Sequence, residues 1–376
     1  MRVGFFTYGM DEQLTGIGRY AVQLSYALKR LEPALEIVLL NPYSDSPNPW
    51  YQDFESYPLP RLRKLPAAAS LGNLSLHRAA LKLELDILHD PCGVAPFLMP
   101  APRYKRVTTV HDAIPFIYPR TQPLLTRAVF QTLVRATRLT ADAVLTVSHA
   151  AAEDLKTYLR LREADLFVTP LGSTLPAKQP SEDEYREVLT RLNAKRPYFL
   201  YVGALHPRKN LARTLEAFVD LRKRRQDAQL VIVGPASWGA HEVLRTVETS
   251  AADDASVIFP GYVSDDALHV LYTKAHALVF PSLYEGFGLP ALEAMARGTP
   301  VITSNVSSLP EVVGDAGILV DPRSTTAITD AMQRLLEDEA LYKTLRAKSA
   351  QRAGRFTWEH TAQKTLDAYH YVLAQQ

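Results

Sequence analysis

Two glutamates with seven residues between them frame the strongest chemical signal in the chain. They bound the string Glu285-Gly-Phe-Gly-Leu-Pro-Ala-Leu-Glu293, which follows an apolar run ending at Phe280. A buried strand ending there, a glycine-bearing loop and a helix opening near Pro290, where proline is favoured, would set the N–H groups of Phe287, Gly288 and Leu289 at a helix N-terminus. Such amides form an anion site. Glu285 in the loop and Glu293 about one turn into the helix are placed to face one ligand. Carboxylates beside an anion site repel phosphate, but they accept strong hydrogen bonds from hydroxyls. Phosphate next to polyol is the chemistry of a nucleotide sugar. The bland alternative is one surface carboxylate and one that complements a helix dipole.

A second signal is Tyr201-Val-Gly-Ala-Leu-His-Pro-Arg-Lys-Asn-Leu211, again a strand, a glycine turn and a helix start, with Asn210 as the expected cap. Arg208 and Lys209 fall where a helix dipole disfavours cations, a conflict that an anionic ligand would relieve. Weaker signals lie in the first half. Gly16 and Gly18, in Thr15-Gly-Ile-Gly-Arg-Tyr20, would let backbone approach a phosphate closely, although the third glycine of a dinucleotide fingerprint is missing. His111-Asp112 follows a strand-like run at its carboxyl end. The sequence has no D-x-D, no H-E-x-x-H and no G-x-S-x-G, so neither a metal centre nor a serine nucleophile is expected.

These residues must be positioned by alternating strands and helices. Strand-like runs are Arg2–Tyr8, Leu35–Leu40, Asp86–His89, Arg106–Val110, Ala143–Val147 and Leu166–Thr169, with helices expected from Ile17 to Leu31, Leu124 to Leu139 and Ala150 to Leu161, the last capped by Ser148. After Pro170–Pro180, a segment rich in proline and turn residues, the alternation restarts. Its strands are Tyr198–Val202, Leu230–Val233, Val257–Phe259, Ala277–Phe280, Val301–Thr303 and Ile318–Val320. Its helices are Asn210–Gln226, His241–Ser250, Asp265–Lys274 and Pro290–Arg297. Continuous apolar strands between helices predict parallel sheets covered on both faces. The class is therefore α/β, with two Rossmann-like doubly wound domains facing across a cleft. A final helix, Trp358–Leu373, sets Trp358, Ala362, Leu366, Tyr369 and Leu373 on one docking stripe. The expected domains are residues 1–175, 176–356 and this closing helix, 357–376.

Length and composition agree. The chain has 376 residues, 47% apolar and 22% charged, with a net charge of +2. That excludes disorder and a disulfide scaffold, and it is too balanced for a dedicated nucleic-acid binder. The single cysteine, Cys92, points to a reducing, cytoplasmic setting. No apolar stretch is long enough to span a bilayer. Residues 61–138 hold twelve Lys/Arg against four Asp/Glu, either a solvated face or an attraction to anionic lipid at the inner face of the membrane.

The Glu285–Glu293 string resembles the signature of retaining GT-B glycosyltransferases of family GT4, group 1. Val202-Gly-Ala-Leu-His-Pro-Arg-Lys-Asn210, Pro310-Glu-Val-Val-Gly314 and Gly16-x-Gly18 match in order and spacing. The resemblance covers essentially the whole chain and is looser in the first half. It implies a first domain for the acceptor, a second for the nucleotide-sugar donor, and a last helix that crosses back to the first. Arg208 and Lys209 would bind the donor diphosphate, Glu285 the transferred sugar and Glu293 the ribose. The N–H groups of Phe287, Gly288 and Leu289 would contact sugar and phosphate, and backbone near Val263 the base. His111 would border the reacting sugar, with Gly16 and Gly18 facing the diphosphate. No cofactor and no metal are implied. Thr15–Tyr20 with Val110–Pro119 is similar to bacterial polysaccharide mannosyltransferases that use GDP-mannose. UDP-glucose, UDP-N-acetylglucosamine and deoxy-sugar donors stay open, as does a nucleotide-sugar epimerase of the same fold. The acceptor implied is a glycan or lipid-linked oligosaccharide.

Overall fold

Runs such as Tyr198-Phe-Leu-Tyr-Val202 and Ala277-Leu-Val-Phe280 have no polar alternation, so neither face can be wet. They form central strands covered on both sides. The computed structural model describes all residues except 11–15, 44–45, 47, 61–71, 94–102, 120–123, 176–179, 196, 236–255 and 376. The chain divides into one unit of Met1–Gly172 with Phe356–Gln376 and another of Ser173–Arg355.

The first unit contains β1 (Arg2–Phe6), α1 (Gly16–Leu31), β2 (Glu36–Asn41), α2 (Trp50–Asp53), β3 (Glu55–Pro58), α3 (Asn73–Lys82), β4 (Ile87–Asp90) and β5 (Lys105–Thr109). It continues through α4 (Ile114–Ile117), α5 (Leu124–Thr140), β6 (Ala143–Thr146), α6 (His149–Leu159) and β7 (Leu166–Val168). All seven strands are parallel, in the order β3-β2-β1-β4-β5-β6-β7. The order reverses between β1 and β4, where Val3 pairs with Ile87. Ser148 caps α6 as expected, accepting from Ala151 N at 3.0 Å.

The second unit runs α7 (Glu182–Arg191), β8 (Tyr198–Val202), α8 (Leu211–Arg222), β9 (Gln229–Val233), β10 (Val257–Gly261), α9 (Asp265–Lys274) and β11 (Ala277–Phe280). Then come α10 (Leu289–Ala296), β12 (Val301–Ser304), α11 (Leu309–Val313), β13 (Ile318–Val320), α12 (Thr325–Glu337) and α13 (Glu339–Ala353). Six parallel strands are ordered β10-β9-β8-β11-β12-β13, reversing between β8 and β11, where Leu200 pairs with Leu278. Open α/β sheets bind ligands at such reversals, beyond the carboxyl ends of the strands.

The α/β class and the two parallel sheets are as the sequence predicts. Four details differ. The edge strand β3, Glu-Ser-Tyr-Pro, is largely exposed and has no apolar run to announce it; its proline is tolerated because an edge strand has a free side. Short α2 and α4, and the amphipathic α3, were likewise not expected. Gly16 and Gly18 lie in the first turn of α1, not in a loop. The helix expected at 241–250, Thr15 and part of the 170–180 linker lie outside the described residues.

The closing helix α14 (Trp358–Ala374) belongs to the first unit and packs along α1. Its stripe buries Trp358, Ala362, Leu366 and Tyr369, with Val372 as the fully covered last residue in place of Leu373. A Cβ on Gly172 would stand 2.3 Å from Trp358 N, so a glycine is required where the chain leaving β7 touches the helix start. Below it runs a buried polar chain. Tyr369 Oη lies 2.6 Å from His89 Nδ1, His89 Nε2 lies 2.8 Å from Thr109 Oγ1, and that oxygen lies 3.0 Å from Tyr20 Oη.

Burial depresses the His89 pKa from 6.5 to about 3, helped by the neighbouring His111. The folded chain thus keeps this imidazole neutral while the unfolded chain protonates it below 6.5, so stability falls as the pH drops through that value. By pH 4 this one group costs on the order of 3 kcal/mol. In His89→Asn the Tm is expected to be lower at pH 7 but to fall less between pH 7 and pH 4 than in the wild type, and an unchanged slope in thermal scans would refute the assignment.

Candidate functional site

The β8/β11 reversal gathers the expected donor residues of the second unit. The chain leaves β8 through Gly203 into a short 3₁₀ turn, Pro207–Lys209, opened by His206, whose Nδ1 accepts from Arg208 N at 3.2 Å. Asn210 then takes a left-handed conformation, φ 61°, and α8 begins. Asn210 holds the N-cap position that the sequence suggests, but its side chain makes no capping hydrogen bond. Its side-chain amide instead donates to Pro281 O at 2.9 Å and Pro322 O at 2.7 Å. One buried amide thereby ties the loop after β8 to those after β11 and β13. Leu283 N adds a bond to Arg208 O at 2.9 Å.

The two loops meet in a buried ion cluster. Lys209 Nζ lies 2.7 Å and Arg208 Nη1 3.3 Å from Glu285 Oε1, as ion pairs that are not aligned as hydrogen bonds. The side chains are 15%, 12% and 9% exposed. Arg208 also donates to the Tyr284 carbonyl, and Lys209 Nζ sits 4.8 Å from the centre of the Phe280 ring. Burial alone would raise the Glu285 pKa. The fields of Lys209 and then Arg208 outweigh it and hold the carboxyl below its ordinary value. The expectation that a ligand must relieve the cations at this helix start is corrected here. In the chain itself Glu285 supplies the negative charge, so its carboxylate does not stand open beside Glu293. Two cations on one carboxylate still leave the trio with a surplus positive charge.

Serines from the loop after β12 hold the backbone that follows. Ser307 Oγ accepts from Glu285 N at 3.0 Å, and Ser308 Oγ donates to Glu285 O at 2.9 Å and Phe287 O at 2.8 Å. Gly288 has φ 107°, and a Cβ there would come within 2.6 Å of Leu309 Cδ2, so this turn into α10 requires glycine. Leu289 opens α10, ahead of its first backbone hydrogen bonds. Glu293 is half-buried on α10, accepting from Tyr272 Oη at 3.0 Å. Val263 follows β10 and Gly261, whose φ of 72° makes the turn. Ser307, Ser308 and the stapling role of Asn210 escaped the sequence reading. The Ser-Ser pair directly before Leu309-Pro310 was the available signal.

In the first unit, His111 follows β5. Its Nε2 lies 2.8 Å from Pro91 O, and its ring meets Tyr20 edge-on at 4.8 Å. A carbonyl can only accept, so Nε2 carries the hydrogen and Nδ1 the lone pair. Burial lowers its pKa to about 4, against the bond to Pro91 that raises it, and the ring is neutral at neutral pH. Asp112 Oδ1 accepts from Ile114 N at the start of α4. Gly18 is buried in α1 and Gly16 is exposed at its start; Gly16, Gly18 and His111 belong to the first unit, the donor-loop residues to the second.

Several basic residues of the 61–138 segment have internal partners. Arg106 pairs with Asp142 at 3.1 Å, Lys105 donates to Gln375 O at 3.0 Å, and Arg135 and Lys82 lie over the rings of Phe116 and Tyr57. Among the described residues no helix is long and apolar enough to cross a membrane. Nor do they contain a group of three or more His, Cys, Asp or Glu side chains placed to hold a metal ion.

Residues 14–173 match the family profile Glycosyltransferase Family 4, and residues 182–352 match Glycosyl transferases group 1. The chain is 32% identical to O-antigen chain mannosyltransferase B of Escherichia coli, over 98% of this chain and 99% of that protein. It is 27% identical to the MMP alpha-(1->4)-mannosyltransferase of Mycolicibacterium hassiacum, over 100% and 99%. The structure is similar to sucrose-phosphate synthase from Thermosynechococcus elongatus, with a TM-score of 0.80, 23% identity and full coverage of both chains.

A carboxylate buried with two cations is costly to strand. Lys209→Met is expected to lower stability by about 3 kcal/mol without ligand, and Lys209→Met/Glu285→Gln to recover part of the loss. Thermal unfolding checks this; additive losses in the double variant would mean that the pair does not couple.

Proposed function

Because the chain belongs to the group 1 glycosyltransferases, with a family 4 amino-terminal half, we propose that it transfers mannose from GDP-mannose, with retention, to a glycan or lipid-linked oligosaccharide in polysaccharide synthesis at the cytoplasmic face of the membrane. The carrying observation is the Arg208–Lys209–Glu285 trio at the β8/β11 reversal, buried and with one positive charge in surplus. Support for mannose comes from full-length similarity to two proteins named as mannosyltransferases.

Arg208 and Lys209 bind the donor diphosphate. As the bond from the anomeric carbon to the phosphate oxygen breaks, negative charge grows on that oxygen. Cations already fixed in a weakly polar site stabilise it without reorganising. Glu285 keeps both cations aimed before the donor arrives, and its backbone segment, with the N–H groups of Phe287, Gly288 and Leu289, cradles sugar and phosphate. Glu293 takes the ribose hydroxyls, backbone near Val263 the base, and Gly16 and Gly18 close on the diphosphate. His111, with Nε2–H spent on Pro91, offers Nδ1 as an acceptor for a sugar hydroxyl. The acceptor oxygen attacks on the face that the diphosphate leaves, forming the new bond to the anomeric carbon. The acceptor's proton passes to the departing phosphate oxygen, so GDP leaves and no protein nucleophile is needed. Charge on the diphosphate is balanced by side chains and helix amides, with no metal.

Lys209→Ala is expected to lower kcat/KM by about 10²–10³, the cost of one preorganised electrostatic partner, and turnover near the wild-type level would overturn the assignment. EDTA is expected to leave the wild-type rate unchanged; abolished turnover would refute the metal-free reading. In a thermal-shift panel of GDP, UDP and ADP, GDP at 100 times its Kd should stabilise by about 2.7 kcal/mol. A larger shift with UDP would replace the donor assignment.

A further inference from the structure

Glu293 is backed by a set of side chains that no step above uses. Tyr272, from α9, donates to Glu293 Oε2 at 3.0 Å, and its ring carries the Arg297 guanidinium 5.2 Å from the centroid. Arg297 lies one turn beyond Glu293, and its Nη1 returns to the Glu293 carbonyl at 2.8 Å. Its Nε donates to His269 Nδ1 at 2.9 Å, and Nη2 reaches Thr174 O at 3.4 Å. His269 is 3% exposed, with Nε2 at 3.5 Å from both Tyr185 Oη and Thr273 Oγ1. A guanidinium only donates, so Nδ1 must hold the lone pair and Nε2 the hydrogen. The arrangement works in one protonation state of one ring.

We propose that Arg297 and His269 are positioning residues for the donor nucleotide: neutral His269 holds Arg297 over the Tyr272 ring, and Tyr272 so fixed aims the Glu293 carboxylate at the ribose. The inference rests on Glu293 taking the ribose, and it adds a condition on when it can. Protonating His269 would set an N–H against the Arg297 Nε–H and a second cation beside the first. The guanidinium must then leave its seat, and the tyrosine that orients Glu293 loses its backing.

The charged and titratable groups around the ring are few. Burial lowers the His269 pKa, Arg297 lowers it further, and Asp266 opposes them. On the far side stands Tyr185, its ring covered by Lys274 Nζ at 4.0 Å, a cation paired with Glu182 at 2.8 Å. The neutral, working form therefore persists at neutral pH and is lost in acid, below the ordinary histidine value.

The test uses the full chain and whichever of GDP, UDP and ADP stabilises it most. Its Kd by calorimetry, with donor KM and kcat, is followed from pH 8 to pH 5. In the wild type, Kd and donor KM should rise together as the pH falls and His269 becomes protonated, by up to about tenfold, the scale of one hydrogen bond to a charged group, with kcat changing less. His269→Asn, which presents an acceptor oxygen near the Nδ1 position and does not titrate, should flatten that rise. Arg297→Gln should weaken nucleotide binding about tenfold at every pH. The proposal is overturned if His269→Asn keeps the wild-type acid rise, or if Arg297→Gln leaves the Kd unchanged. Glu293→Gln separates the two levels. Unchanged nucleotide affinity in that variant removes the ribose assignment itself, whereas weakened affinity there and wild-type affinity in Arg297→Gln removes only the positioning role.

Discussion

A carboxylate withdrawn from water must find its counter-charge inside the protein, and Glu285 finds two. That constraint organises the β8/β11 reversal of the second unit. Lys209 and Arg208 can reach one oxygen only if the loop after β8 and the loop after β11 run side by side. Adjacent strands in the sheet provide that, since β8 and β11 are neighbours at the point where the strand order reverses. The Asn210 staple and the Ser307 and Ser308 hydrogen bonds then fix the loops' separation to within the reach of a salt bridge. A buried ion cluster is a weak source of stability, because desolvation cancels much of the attraction. What it does supply is a pair of cations whose positions are set before any ligand binds.

Much of this was legible in the sequence, for definable reasons. Strands buried on both faces announce themselves as unbroken apolar runs, and Tyr198–Val202 and Ala277–Phe280 lie where those runs lie. The stripe on the closing helix was readable from its period, because one face of α14 is covered by α1. Edge strand β3 was not, since an exposed edge imposes no hydrophobic pattern. In the candidate site the residue types were readable and their partners were not. Arg208 and Lys209 precede Glu285 by more than seventy residues, and nothing local says that they share its charge. Asn210 shows the same limit. Its type and place suggest a cap, a short-range role, while its two bonds run to prolines 71 and 112 residues away.

Three histidines show how the chain divides its labour between charge and shape. His89, His111 and His269 all have depressed pKa values, chiefly through burial. Each is neutral at neutral pH, and two are fixed in a tautomer by a partner with a single role, the Pro91 carbonyl for His111 and the Arg297 guanidinium for His269. None adds charge. The charges at the donor loops come instead from a lysine, an arginine and a glutamate whose pKa is pushed away from neutrality. The charges at the β8/β11 reversal are thus nearly constant across the neutral range. For the diphosphate proposed to bind there, that constancy means that the counter-charge does not titrate alongside the ligand's own phosphates. At His269, the proposed sensitivity to pH enters through shape, because a protonated ring would lose its place beside the Arg297 guanidinium.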